Sequence, residues 1–252
     1  MMREEIELRL AQTKDIDIMI SLVRSSFDPA HLHTSIYTCK GIKDFISIEI
    51  NNPYSPYKYF VAILDDKLAG FAEFKLFPET NTAFLNMIAT DNTYKGKGIA
   101  KCIFNKSVEY FKQYEYNNIQ LDVFNSNLIA QKWYKSIGFI NEKKTYFHIY
   151  NGTASYIKGE KLMILNLPQF YGLYEKFGFS FLQTAIDNKP VNIGVINKNI
   201  ILRNKVISLE HIKNIQELFK EYGFTNLYYM GNDFSYENFE YLDEIYRMKL
   251  NI

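Results

Sequence analysis

The sequence is poor in cysteine and in long apolar runs, and each shortage excludes a class of protein. Only Cys39 and Cys102 occur among 252 residues, so the disulfide framework of a secreted domain is not expected. No stretch of about 18 apolar residues is present, which excludes an α-helical membrane span. The first residues, Met-Met-Arg-Glu-Glu, lack the apolar segment of a secretion signal. These absences predict a cytoplasmic protein that does not contact a membrane.

The sequence also lacks an excess of charge of one sign. Its 29 Lys and Arg residues balance 28 Asp and Glu residues, for a formal net charge of +1. Nucleic-acid-binding proteins usually carry a basic patch or stripe, so no nucleic-acid partner is expected. With 47% hydrophobic and 23% charged residues, the chain can bury a core, and its length suits one large or two small domains.

A glycine-rich segment separates a predicted buried strand, Thr82–Thr90, from a predicted amphipathic helix that begins at Ile99. The segment reads Tyr-Lys-Gly-Lys-Gly-Ile-Ala over residues 94–100. The first turn of a helix has free backbone N–H groups and the positive end of the helix dipole. Gly96 and Gly98 carry no Cβ, so an anion can come close to the main chain. Three lysines add positive charge: Lys95, Lys97 and Lys101.

Two common phosphate-binding motifs do not fit this segment. A Walker loop requires Ser or Thr after Gly-Lys, whereas Lys97 is followed by Gly98. The dinucleotide fingerprint requires a third glycine at the position where Lys101 stands. On its own, the segment predicts either a phosphate-binding loop or a solvated Lys/Gly turn before a helix.

A second motif lies downstream, where a short apolar strand, Ile119–Phe124, leads into a short predicted helix. Asn127 can cap that helix and Gly138 can end it, after which a new strand begins. Ala130 and Tyr134 share one face of the helix, because residues four apart lie on the same side.

Together the two motifs resemble those of the GNAT superfamily of acetyl-CoA-dependent N-acetyltransferases. That family carries an Arg/Gln-x-x-Gly-x-Gly/Ala loop after its fourth strand and an Asn-x-x-Ala-x-x-x-Tyr-x-x-x-Gly-Phe motif after its fifth. The matching residues are Gly98 and Ala100 in the loop, and Asn127, Ala130, Tyr134, Gly138 and Phe139 in the motif. Lys95 departs from the pattern, since it keeps the charge of arginine but not its forked geometry.

The resemblance covers roughly residues 4–167. It implies the GNAT fold, an α/β (α+β) architecture with a mixed, mostly antiparallel central sheet flanked by helices. We therefore predict a catalytic domain over residues 1–167 that contains a hairpin of Tyr57–Leu64 and Lys67–Phe77. Strands Phe139–Tyr150 and Ser155–Leu167 are expected to close the sheet.

Residues 168–252 are predicted to form a smaller C-terminal α+β domain, either a degenerate second GNAT-like half or an unrelated extension. The spacing of the second motif is repeated by Phe170, Tyr174, Gly178 and Phe179. No glycine stands just before a predicted helix at Leu209, so this domain should not bind the cofactor. A final helix is expected over Tyr236–Lys249. We expect the domain to pack against the first one and to border the acceptor groove.

The resemblance implies acetyl-CoA as the cosubstrate. N–H groups of the loop would hold its pyrophosphate, and the preceding strand would align the pantetheine arm and polarise the acetyl carbonyl. The residues expected to bind acetyl-CoA are Met87, Ile88, Thr90, Lys95, Gly96, Lys97, Gly98, Ile99, Ala100, Lys101 and Asn127. His31 and His33 fall where the family builds its acceptor site. They form a His-x-His pair without a third ligand nearby, so no metal is expected.

Two catalytic roles follow from the same resemblance. Tyr134 would donate a proton to the leaving thiolate, and a core aromatic residue is the alternative interpretation. Asp122 would accept the proton of the amine, with Glu73 or ordered water as alternatives. A solvated or paired carboxylate without a catalytic role also stays open for both acids.

The sequence thus predicts an enzyme, an acyltransferase that moves an acetyl group from acetyl-CoA directly to a primary amine. The acceptor, whether a small molecule, a peptide N-terminus or a lysine, stays open, as does the choice between a monomer and a homodimer. A non-catalytic acyl-CoA-binding sensor on the same fold is the alternative.

Overall fold

Alternating apolar residues give this chain its strands, and apolar residues three and four apart give its helices. The computed structural model describes residues 6–152, 162–186, 189–203, 209–220, 222–224, 226–231 and 238–252. The strands in these residues are β1 Glu7–Leu10, β2 Tyr57–Leu64, β3 Lys67–Phe77, β4 Thr82–Thr90, β5 Asn118–Phe124, β6 Ile140–Tyr150, β7 Leu162–Ile164, β8 Phe179–Ile186, β9 Lys189–Ile196, β10 Asn199–Arg203, β11 Asn226–Gly231 and β12 Phe239–Asn251. The helices are α1 Ile16–Ser26, α2 Pro29–Leu32, α3 Ile42–Asn51, α4 Ile99–Gln113, α5 Leu128–Ser136, α6 Leu167–Phe177 and α7 Leu209–Lys220.

All of these strands form one sheet in the order β1-β2-β3-β4-β5-β12-β6-β11-β10-β9-β8-β7. The order is symmetric: if β1 is replaced by β7, β2 by β8 and so on, and each strand of the second half by its counterpart in the first, the same order results, read from the other end. The parallel pairs, β4 with β5 and β10 with β11, correspond to each other under this exchange. The C-terminal part of the chain is therefore a second copy of the first fold, related to it by a pseudo-twofold axis. The mixed, mostly antiparallel sheet predicted from the sequence is confirmed.

Each half gives its last strand to the other half. β12 pairs with β5, with Ile245 opposite Phe124, while β6 pairs with β11. β6 and β12 also pair with each other, which places the axis between them. Met248 of β12 is fully buried in the core of the first half, and Tyr150 of β6 is buried in the core of the second.

The helix predicted over Tyr236–Lys249 is wrong, because the structure has the strand β12 from Phe239 onward. Two register shifts against β6 interrupt the regular alternation of inward and outward side chains along this pair. The apolar residues Leu242, Ile245 and Met248 stand three apart, a spacing that is typical of a helix face. In β12 this spacing arises because the strand contacts a core on each face of the sheet, with Ile245 in one core and Met248 in the other.

The prediction of a closing strand over Ser155–Leu167 is also wrong for the residues of that range that the structure describes. Residues 155–161 lie outside the described residues, Leu162–Ile164 form β7 at the far edge of the sheet, and Leu167 begins α6. The place beside β6 is taken by β12.

Because α6 leads into β8, it corresponds to the helices between β1 and β2. The repeated spacing in residues 170–179 is therefore not a copy of the second motif.

Helices cover both faces of the sheet in the first half. α4 and α5 lie on one face, named here the α4 face, over a core that includes Leu85 and Leu121. α1 and α3 lie on the opposite face, named here the α1 face, over a core that includes Val61 and Phe71. No helix in the described part of the chain is both long and apolar enough to cross a lipid bilayer.

The segment between α2 and α3 connects the α1 face with the second half. The Asn199 side-chain amide donates a hydrogen bond to the His33 carbonyl (2.8 Å), and the Gly41 N–H donates one to the Phe177 carbonyl (3.1 Å). A Cβ on Gly41 would lie 2.5 Å from the Lys176 carbonyl oxygen, so this contact between the halves requires glycine.

The domain division predicted after residue 167 can be tested by expressing residues 1–167 alone. We expect this fragment not to fold, because it lacks β12 and leaves β5 and β6 without the strand between them. Truncating a buried methionine alone costs about 2–5 kcal/mol, a large part of the roughly 5–15 kcal/mol that stabilises a domain. Near-UV circular dichroism and urea unfolding measure the outcome.

The matched control joins residue 152 to residue 238 through a two-glycine turn and so restores β12. The Asn151 N–H donates to the Asn238 carbonyl (2.8 Å), which shows that the two chain segments are adjacent there. This control should unfold cooperatively. Cooperative unfolding of residues 1–167 without β12 would contradict the requirement for the exchanged strand and support the division.

Candidate active site

β4 and β5 separate partway along their length and form a fork. Their parallel pairing ends with Leu85 opposite Leu121, although β4 continues to Thr90 and β5 to Phe124. An extra residue on β4, Asn86, forms a bulge against β3 at this point. Beyond it, β4 stays paired with β3 and β5 with β12, so the strands diverge. The edge of β4 that faces β5 therefore offers backbone groups to a ligand.

The glycine turn lies between the end of β4 and the start of α4. Gly96 and Gly98 have φ angles of +81° and +78°, the left-handed conformation that favours glycine. A Cβ on either residue would meet no atom within 4 Å, so the surface above the turn is open. The Cys102 N–H makes the first helical hydrogen bond, to the Gly98 carbonyl, and no side chain in the described residues caps the helix. The N–H groups of residues 99–101 are consequently available to an anion.

The structure brings the predicted cofactor residues to the fork and the turn. Met87, Ile88 and Thr90 lie on β4 beyond the end of its pairing with β5. The three lysines of the turn, Lys95, Lys97 and Lys101, are all exposed. Ile99 is buried and fixes the start of α4 in the core. The turn therefore joins an anchored helix start to a positively charged surface.

Tyr134 lies on α5, and Asn127 directly precedes that helix. The Tyr134 side chain is buried between Trp133 and Phe139, with ring centroids 5.0 and 5.5 Å away. Burial raises the pKa of Tyr134, so its hydroxyl stays protonated at neutral pH. Among the described residues this hydroxyl makes no hydrogen bond, which leaves it able to donate to a ligand. Asn127 caps the helix, since its side-chain oxygen accepts from the Ala130 N–H (3.1 Å).

Asp122 lies on β5, one residue beyond the end of the pairing with β4. Both of its oxygens accept hydrogen bonds from the Arg247 guanidinium of β12, at 2.5 and 2.9 Å. The same guanidinium lies 4.8 Å from the Phe84 ring, and its bonds to Asp122 raise the pKa of Arg247. Asp122 is therefore a paired carboxylate, and its catalytic role stays a prediction.

Glu73 is a second carboxylate near the fork, and it is buried with only 3% exposure. In the sheet it lies opposite Met87 of β4 and Tyr59 of β2. It accepts hydrogen bonds from the Tyr37 hydroxyl and from the Asn86 side-chain amide (2.8 Å). Burial raises the pKa of Glu73, against the opposing effect of these two bonds. The buried Tyr59 hydroxyl has no hydrogen-bond partner in the described residues, so it can meet a ligand or water.

His31 of α2 reaches the ends of β5 and β12. Its ring stacks on Phe124 with centroids 3.8 Å apart. Its Nε2 lies 3.3 Å from Ser126 Oγ and 3.5 Å from Asp243 Oδ2, and Ser126 Oγ donates to the same Asp243 oxygen (2.6 Å). His33 points elsewhere and stacks in the second half. Within the described residues, no group of three His, Cys, Asp or Glu side chains is placed to hold a metal.

Sequence reasoning missed the residues that β12 brings to the site. Asp243 and Arg247 fall in the segment predicted as a helix. Their partners Ser126 and Asp122 precede them by 117 and 125 positions, so no local spacing connects them. Substitution patterns that change together across related sequences are the signal that can reveal such pairs.

The second half differs at the position that corresponds to the fork. β10 and β11 are paired along all five residues of β10, up to Arg203 opposite Met230. Residues 204–207, which precede the helix predicted at Leu209 and contain no glycine, lie outside the described residues. In the described part, therefore, the opened strand pair is found in the first half.

Comparison with known proteins agrees with this geometry. A sequence profile of the acetyltransferase (GNAT) family matches residues 21–139. The chain is similar to N-acetylaspartate synthetase of Xenopus tropicalis, with 32% identity over 94 residues, which cover 37% of this chain and 35% of that protein. It is also similar to N-alpha-acetyltransferase 30 of Schizosaccharomyces pombe, with 28% identity over 131 residues, which cover 46% of this chain and 87% of that protein. The chain thus spans about a third of the length of the first relative.

A solved structure extends the likeness to both halves. A tandem GNAT protein from the clavulanic acid biosynthesis pathway superimposes with a TM-score of 0.68 and 10% sequence identity. The superposition covers 98% of this chain and 98% of that one, and at this identity it concerns the fold alone. Residues 21–139 therefore match the acetyltransferase (GNAT) family, and the whole chain has the fold of a tandem GNAT protein.

Proposed function

We propose that this chain is an acetyl-CoA-dependent N-acetyltransferase that moves the acetyl group directly to a primary amine. The observation that carries the proposal is the fork between β4 and β5, with an open glycine turn at its end. The match to the GNAT family supports the same activity. The names of the two relatives, N-acetylaspartate synthetase and N-alpha-acetyltransferase 30, both denote acetylation of an amino group.

Acetyl-CoA would lie in the fork with its pyrophosphate at residues 96–101, where the N–H groups of residues 99–101 are available and the Lys97 N–H already donates to the Tyr94 carbonyl (3.1 Å). The helix dipole and the exposed lysines favour an anion there. The edge of β4 from Met87 to Thr90 would pair with the amide groups of the pantetheine arm and orient the thioester. Asn127 would contribute from the start of α5, beside the hydrogen bond that it already makes as a helix cap.

Tyr134 is proposed as the general acid that protonates the leaving thiolate. Its raised pKa keeps the proton on the hydroxyl at neutral pH, so the hydroxyl can donate a hydrogen bond to the sulfur as negative charge develops there. The hydroxyl makes no competing hydrogen bond within the described residues.

Glu73 is proposed as the proton acceptor in preference to Asp122. A general base works best when its pKa lies near the pH of the reaction, and burial moves the pKa of Glu73 in that direction. It also lies opposite Met87, next to the proposed thioester position. Both oxygens of Asp122 are held by the charged Arg247, so neutralising Asp122 would disrupt an ion pair, whereas the two hydrogen-bond partners of Glu73 are neutral. A non-catalytic sensor would not need a proton acceptor, so the buried carboxylate of Glu73 beside the fork favours the enzyme over the sensor.

The cofactor site can be tested with Gly98→Asp and its near-isosteric control Gly98→Asn. Both side chains must adopt the left-handed φ, but only aspartate brings a negative charge to the proposed pyrophosphate site. We expect wild-type protein to release CoA from acetyl-CoA when offered a panel of amines. Gly98→Asp should abolish acetyl-CoA binding in calorimetry, and Gly98→Asn should weaken it much less. Equal affinity of folded Gly98→Asp and wild type would place the cofactor elsewhere.

The acid can be tested with Tyr134→Phe, which removes one hydroxyl and little volume. We expect kcat to fall roughly ten- to a thousandfold with a small change in acetyl-CoA affinity, because the hydroxyl acts only in the transition state. Single-turnover kinetics separate this chemical step from product release. An unchanged chemical rate would return Tyr134 to the role of a core aromatic residue.

The base can be tested with Glu73→Gln, with Asp122→Asn measured in parallel. The pKa of Glu73 is raised in the folded protein, so its charged form lowers stability as the pH rises through that pKa. Glu73→Gln should therefore raise Tm at neutral and higher pH, match wild type at acidic pH, and lower kcat at least about tenfold. Loss of activity in Asp122→Asn alone would restore Asp122 as the base.

A further inference from the structure

A cavity of about 150 Å³ lies where strands of the two halves meet, on the sheet face that bears Asp122. Its polar wall consists of Asp122, Lys143, Thr145, Arg203 and Arg247, and its apolar wall consists of Met230 and Ile245. These residues come from β5, β6, β10, β11 and β12, so the cavity exists only because the strands are exchanged. A dry cavity of about this volume holds a molecule the size of benzene.

The cavity has more positive than negative groups. Three cations face one carboxylate, and that carboxylate is held by Arg247, so the lining has a formal excess of two positive charges. Within the described part of the chain, Arg203 and Lys143 make neither a hydrogen bond nor an ion pair. Arg203 is exposed at the cavity and interacts with both Asp122 and Arg247. An anion bound here would offset the repulsion among the three cations.

The cavity lies next to the fork. Asp122 directly follows Leu121, the last residue of β5 that pairs with β4. Arg247 covers the ring of Phe84, which lies on β4 one residue before the end of the same pairing. A small molecule held by Arg203 and Lys143 would therefore have its other end near the proposed thioester.

We propose that this cavity binds the carboxylate of the acceptor, so that the substrate is a small amino acid with a free amino group and at least one carboxylate. The inference rests on the proposed function for the acetyl-transfer step. The planar guanidinium of Arg203 matches a carboxylate bidentately, and Lys143 adds a second charge. The apolar side chains of Met230 and Ile245 would contact the short aliphatic chain of the substrate.

The test begins with binding, which does not depend on turnover. L-Aspartate and its diamide, which keeps the amino group but has no carboxylate, are titrated into the full chain in the presence of CoA. We expect L-aspartate to bind at least about tenfold more tightly than the diamide, and Arg203→Met to weaken L-aspartate binding roughly ten- to a hundredfold, as expected for a lost charged hydrogen bond. Lys198→Met, on the exposed turn before β10, is the matched control and should bind L-aspartate like wild type.

Equal binding of L-aspartate and the diamide, or of wild type and Arg203→Met, would overturn the inference. Lys143→Met provides a second variant at an exposed position, in case Arg203→Met does not fold. Tighter binding of inorganic phosphate than of L-aspartate would also overturn the assignment to a carboxylate.

Turnover on the same protein samples separates this inference from the proposed function. Selective acetylation of L-aspartate, with a kcat/KM ratio to the diamide that falls in Arg203→Met, supports both. Acetylation of the diamide in preference to L-aspartate overturns the carboxylate site but supports the proposed N-acetyltransferase activity. Charge-dependent binding of L-aspartate without acetylation of any amine supports the carboxylate site and overturns the proposed N-acetyltransferase activity.

Discussion

The exchange of β6 and β12 is the contact on which both halves of the molecule depend. Without it, β5 and β11 would each end a half with an open edge, and open strand edges favour aggregation. The exchange replaces those edges with continuous hydrogen-bonded ladders across the whole sheet. It also places Met248 in one core and Tyr150 in the other. Each half therefore contains a strand that is remote in sequence, and we expect the two halves to unfold as one cooperative unit.

The two halves share one topology but differ at the strand pair in the middle of each. In the first half, the bulge at Asn86 turns β4 away from β5 and opens a fork. In the second half, β10 and β11 stay paired along the whole of β10. The second half instead sends side chains toward the fork, with Arg247 from β12 on Asp122 and Asp243 beside Ser126. Duplication thus allows one copy to keep the opening while the other copy shapes its surroundings.

The parts of the structure that the sequence predicts are those set by neighbouring residues. The hairpin of β2 and β3 has the predicted bounds, because Asp65 and Asp66 adopt the positive φ angles of a tight turn. The glycine turn and α4 follow from Gly98 and from the helical spacing after it. The sequence predicts a helix at the C-terminal strand because Ile245 and Met248 are buried on opposite faces of the sheet, and residues three apart also share a helix face. The exchange itself leaves no local pattern, since each strand reads the same whichever neighbour it pairs with.

The same distinction explains why cofactor recognition is visible in this sequence and acceptor recognition is not. The proposed cofactor site uses backbone N–H groups, which every chain has, so only the glycines that expose them must be specified, and these lie within a few residues. The proposed acceptor side uses side chains in unfavourable states. Glu73 is buried, the Tyr59 hydroxyl is unpaired in the described residues, and Arg203 faces other cations.

The Tyr59 hydroxyl is the unsatisfied buried group among them, and such a group costs about 1–3 kcal/mol. Glu73, Tyr59 and Arg203 come from separate strands, and under the proposed function they surround the place where an amine would meet the thioester. A ligand with a carboxylate and an amino group could satisfy several of them at once. The cost to the folded protein is therefore concentrated where binding can offset it, and that arrangement exists only after strands from both halves have come together.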